Sequence, residues 1–62
     1  MSKLTTKKAI AAALKEVMLE KSLSKITVND IAEKCSINRQ TFYYHFQDIP
    51  DLVEWICLEE AD

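Results

Sequence analysis

The chain contains no glycine, and in 62 residues Pro50 is its only proline. Tight hairpin turns need residues that accept positive φ, and glycine supplies most of them. A sheet closed by hairpins is therefore disfavoured, and helices joined by short polar connections are the alternative. Length narrows the choice further. A domain of this size buries only about 60% of the surface its unfolded chain exposes. That allows one small core and no enclosed active site of ordinary size. The predicted fold class is all-α.

Apolar spacing places the helices. Ile10, Ala13, Leu14, Val17 and Met18 recur at the i, i+3, i+4, i+7, i+8 spacing of one buried stripe. They predict a first helix over about residues 6–21, capped by Thr5 or Thr6, with Lys7, Lys8, Lys15 and Glu16 off the stripe. Lys21 to Ser24 is the break, with Leu23 expected as a core plug. Thr27 then caps a second helix over about residues 28–35, and Asp30 at its third position completes a capping box. Val28, Ile31, Ala32 and Cys35 point that helix inward.

The third helix is the informative one. Asn38 caps it, and it is expected to run to about Gln47. At about 100° per residue, Phe42 and Phe46 share one face, and Ile37 joins them. Gln40, Tyr44 and Gln47 then point the opposite way, with Tyr43 on the flank and Arg39, Thr41 and His45 nearby. An ordinary core helix keeps its large aromatics on the buried stripe. This one offers a second aromatic and polar set to solvent, suited to a flat, anionic partner that accepts hydrogen bonds. Two short helices joined by a few residues, the second with a decorated face, form the helix-turn-helix pattern.

Asp48 caps a fourth helix with Pro50 in its first turn, where a missing N–H costs nothing. Leu52, Trp55, Ile56 and Glu59 share a face, which Val53 and Cys57 widen. The pattern is still helical at Asp62, as expected of a helix cut short. Residues 1–47 are thus read as a helix-turn-helix domain and residues 48–62 as the start of helix four.

Charge is divided unevenly. Residues 1–47 hold all eight basic residues against four acidic ones, a net +4, whereas residues 48–62 hold six acids and no base. A basic body with an acidic tail fits an anionic partner. The N-terminus has no apolar signal segment and no stretch long enough to span a bilayer, so a cytoplasmic protein without a membrane partner is expected. Cys35 and Cys57 fall on apolar helix positions and are expected as buried thiols. His45 is the only histidine, so cysteine and histidine alone cannot make a four-ligand zinc site. No carboxylate pair or nucleophile–base set has useful spacing. Neither enzyme activity nor a cofactor is expected.

Ile26-Thr27-Val28-x-x-Ile31-Ala32, followed by Asn38-x-x-Thr41-Phe42-Tyr43-Tyr44-His45-Phe46, resembles the N-terminal DNA-binding domain of TetR-family transcriptional regulators. The likeness covers about Thr6 to Ile56. The run from Arg39 to Phe46, with Asp51-Leu52-x-x-Trp55-Ile56, is also similar to the subgroup labelled dihydroxyacetone-kinase operon regulators. The resemblance implies a three-helix unit whose third helix enters the major groove of double-stranded DNA. It implies that Arg39, Gln40, Thr41, Tyr43, Tyr44 and His45 contact bases or phosphates, and that Thr27 and Asn29 contact phosphates. It also implies a C-terminal domain, absent from this sequence, that binds a small effector and makes the homodimer on a near-palindromic operator. Two positions depart from the family pattern. Ile49 stands where many members have a phosphate-reaching lysine, and Ser36 where many have a glycine in the turn. A second reading is a protein-interaction module docking through the apolar face of helix four.

Overall fold

The computed structural model describes residues 3–60. Among them the regular structure is helical throughout: α1 (Lys3–Met18), a 3-10 turn (Leu23–Lys25), α2 (Val28–Lys34), α3 (Arg39–His45) and α4 (Ile49–Glu60). The helix-turn-helix is α2–α3. α1 lies across both, and α4 returns against α1.

The core is what the apolar stripes dictate. Ile10, Ala13, Leu14 and Val17 of α1, Ile31 of α2, Phe42 of α3, Leu52 of α4, and Ile26 and Phe46 from the connections meet in one buried cluster. Val28, Cys35, Ile37, Trp55 and Ile56 close it from the sides as half-buried neighbours. The Lys7 ammonium lies 5.6 Å from the ring centre of Phe46 and 5.9 Å from that of Trp55. There a cation held by two ring faces ties α1 to the segment after α3 and to α4.

Local chemistry sets the helix starts. Thr27 Oγ1 accepts from the Asp30 N–H while Asp30 Oδ2 accepts from the Thr27 N–H, so the expected capping box is present with aspartate in place of glutamate. Asp48 Oδ1 accepts from the Asp51 N–H at the head of α4, and Asp51 Oδ2 accepts from Gln47 N–H. α2 ends in a Schellman turn: the Ile37 N–H donates to Ala32 O and the Ser36 N–H to Glu33 O. That geometry requires a left-handed residue after the C-cap, and Ser36 supplies it with φ 60°.

Several boundaries and facings differ from the sequence reading. α1 already includes Lys3, so Thr5 and Thr6 lie inside it rather than capping it. It stops at Met18, where Leu19 and Glu20 tighten onto the Glu16 and Val17 carbonyls. Two ion pairs then hold the departing chain against α2, Lys21–Asp30 at 3.2 Å and Glu20–Lys34 at 2.8 Å. With the helix ended, Met18 is 49% exposed instead of buried. Leu23 sits in the 3-10 turn, which rolls it outward, and Ile26 fills the core place expected of it. Cys57 is exposed and Cys35 half-buried, so neither thiol is fully enclosed. The expected continuation of α4 to residues 61–62 lies outside the described residues.

Candidate nucleic-acid interface

α3 is seven residues long and is held at both ends. Asn38 caps its start, with Oδ1 accepting from the Thr41 N–H. Its close comes two residues before the expected end. Phe46 takes extended backbone as the C-cap, donating its N–H to Phe42 O, and the following amide turns to Asp51. Gln47 is therefore exposed beyond the helix rather than on its outer face. Phe42 and Phe46 anchor the inner side, both buried, with ring centres 5.9 Å apart.

The outer side is the one the sequence picks out. Arg39, Gln40, Tyr43 and Tyr44 are exposed, with Tyr43 at 53% and Tyr44 at 69%, while Thr41 and His45 are half-exposed. Ring packing steadies both tyrosines. Tyr43 meets Phe42 edge-on at 5.5 Å, and Tyr44 meets His45 edge-on at 5.1 Å. Among the described residues no carboxylate pairs with Arg39, so its five N–H donors face solvent. All six expected residues of this helix thus share one short element.

Thr27 and Asn29 lie elsewhere, at the start of α2. Both are exposed, but neither is idle. The Thr27 hydroxyl accepts from the Asp30 N–H, and the Asn29 amide donates to Glu33 Oε1 at 3.3 Å. A phosphate contact through Asn29 would have to share that amide with a carboxylate. Ile49 is half-buried against the core and lines an apolar groove with Leu23, Ile26, Pro50 and Val53. Its side chain serves packing.

Charge gathers differently from the simple sum. Lys21 and Lys34 are committed to the α1–α2 clasp, and Arg39 is the one permanently charged base on α3. The Lys34 hydrogen bond and charge hold the Glu20 carboxyl below the usual carboxylate range. Hydrogen bonding to the Thr27 backbone, then to Lys21, does the same for Asp30. The Lys34 ammonium is raised in return. Burial pushes the Cys35 thiol up. Among the described residues no cluster of three or more histidine, cysteine or acidic side chains could hold a metal ion. No helix among them is long and apolar enough to cross a membrane.

One detail escaped the sequence reading. Asn38 Oδ1 also accepts from the Thr41 hydroxyl at 2.9 Å, so the cap orients a side chain of the outer face as well as the helix. The i, i+3 spacing of asparagine and threonine was the available signal.

Comparison with known families agrees with the helical helix-turn-helix fold. Residues 9–56 match the model of the bacterial regulatory proteins of the tetR family, and the chain belongs to that family as a DNA-binding domain of the helix-turn-helix type. It is 43% identical over 51 residues to the HTH-type dhaKLM operon transcriptional activator DhaS of Lactococcus lactis subsp. lactis. The match covers 82% of this chain and 27% of that relative, so the chain spans about a quarter of the relative's length.

Proposed function

We propose that this chain is the reading head of a cytoplasmic transcriptional regulator and that α3 lies in the major groove of duplex DNA. Arg39 grips O6 and N7 of a guanine in a fork, and Gln40 does the same for N6 and N7 of an adenine. Tyr43, Tyr44 and His45 line the groove wall, while Thr27 and Asn29 meet the phosphates. The observation that carries this reading is the pair of exposed tyrosines on a helix whose inner side is the buried Phe42 and Phe46, with Tyr44 opposite that side and Tyr43 on its flank. The whole regulator is a homodimer through a further C-terminal domain, which binds a small effector. Its two heads meet half-sites of a near-palindrome about 34–36 Å apart, or a multiple of that. The relative's control of an operon suggests the same kind of target here.

The test is titration of the chain with duplex DNA over a range of salt. Neutralising about four phosphates gives a log–log slope near about −4. Affinity that does not change with salt would sink the reading. It would favour the second one, a protein docking through α4, where Trp55 and Ile56 are half-buried and Leu58 is 70% exposed.

A further inference from the structure

Hydrogen-bond directions at the head of α3 are fixed by elimination. The Thr41 backbone N–H can only donate, and it lies 2.8 Å from the Asn38 side chain. The atom it meets must be the amide oxygen Oδ1, which settles the orientation of that amide. The Thr41 hydroxyl lies 2.9 Å from the same oxygen. An amide oxygen only accepts, so the hydroxyl is the donor, and a hydroxyl has one proton. What half-exposed Thr41 has left to offer a partner is lone pairs. Phosphate oxygens, purine N7, guanine O6 and thymine O4 only accept, so they are closed to it. The donors in the major groove are the N4 amino group of cytosine and the N6 amino group of adenine.

We propose that Thr41 is an acceptor-only specificity residue that reads one exocyclic amino group of cytosine or adenine, and that Asn38 is the positioning residue that keeps it so. The inference rests on α3 being the groove helix. It sets Thr41 apart from its neighbours, because Arg39 can only donate and Gln40 can do both.

The wild-type chain is first used to select duplexes from a random pool, read by sequencing. No enrichment overturns the groove reading and this proposal with it. An enriched duplex is then remade with single groups deleted: 2-pyrimidinone for each cytosine, purine for each adenine, 7-deaza purines, and methylphosphonates along the backbone. Each duplex is titrated with wild type and with Thr41→Val. One amino deletion is expected to weaken wild type by about tenfold, in line with a single base contact, and to leave Thr41→Val unaffected. Thr41→Ser keeps the hydroxyl and must keep the penalty, which guards against a valine variant that merely misfolds. Asn38→Gly costs little helix stability, yet it frees the hydroxyl proton and must shrink the penalty. Coupling of Thr41 to a 7-deaza or methylphosphonate change, or to no change, overturns the proposal and leaves the groove reading standing. A penalty unchanged in Asn38→Gly overturns the positioning role.

Discussion

Replacing Ser36 with glycine should stabilise this domain, and the size of the gain follows from one dihedral angle. Ser36 holds φ 60° as the left-handed residue of the Schellman turn between α2 and α3. A side chain bearing Cβ in that region costs about 1–2 kcal/mol. Glycine removes the cost but adds freedom to the unfolded chain, which offsets about 0.4–1 kcal/mol. The serine side chain is exposed and holds no hydrogen bond, so its loss takes away no packing. The net gain lies between about 0 and about 1.6 kcal/mol by these figures, centred near about 0.8 kcal/mol. For a domain of this size the central gain raises the melting temperature by about 3–6 °C. Thermal melts followed by circular dichroism on wild type, Ser36→Gly and Ser36→Val measure it. The valine variant should melt lower than wild type, because a β-branched residue tolerates positive φ worst. A glycine variant that melts at or below wild type would refute the reasoning, since Ser36 would then carry no strain.

Phe46→Ala should unfold much of the population, at a cost of about 3–5 kcal/mol, while Tyr44→Ala should melt near wild type and lose DNA affinity. Equal melting temperatures for the two would show that the facing of this segment is wrong. Acid should loosen the α1–α2 clasp: Glu20 and Asp30 have lowered pKa values in the fold, so their contribution is present above the ordinary carboxylate range and lost as pH falls through the lowered values. Melting temperature against pH should therefore drop on the acid side, and Lys34→Met should flatten that drop by removing the partner of Glu20. Cys57 should react with a thiol reagent faster than Cys35, because it is exposed and burial raises the Cys35 thiol; peptide mapping by mass spectrometry decides the order.

The parts of this fold that were legible in the sequence are those fixed over three or four residues. Thr27 with Asp30, Asn38 with Thr41, and Asp48 with Asp51 are each written as a cap residue and its third neighbour, and each bond is present. The buried faces of α1 and α3 were legible for the same reason, since periodicity gives the direction of a stripe. It does not give the reach of the elements that cover it. Met18, Leu23 and Cys57 all continue an apolar pattern, yet the neighbours end before enclosing them. The end of α1 was hidden because it depends on Glu20 and Lys21 meeting partners on α2, Lys34 and Asp30, 14 and nine residues away. Of the candidate site, Gln40 and Tyr44 were readable as the outer face of α3 and Tyr43 as its flank, and all three are exposed. The competing Asn29–Glu33 bond and the packing role of Ile49 were not, because both depend on contacts that no local pattern records.

The shortness of α3 has an evolutionary consequence. Seven residues make about two turns, well under the length at which an isolated helix persists in water. The exposed surface of α3 therefore exists only while Phe42 and Phe46 are seated in the core. Any core change that lowers the folded fraction lowers apparent affinity for every DNA sequence by that same fraction. Substitutions at Ile10 or Leu14, buried in the same core cluster as Phe42 and Phe46, would thus look in a genetic screen like loss of DNA binding without loss of preference. If Arg39 and Gln40 read the DNA as proposed, selection for DNA binding acts on the buried half of α1 as well as on those two residues, and a drifting core can be repaired by a stabilising change such as glycine at position 36.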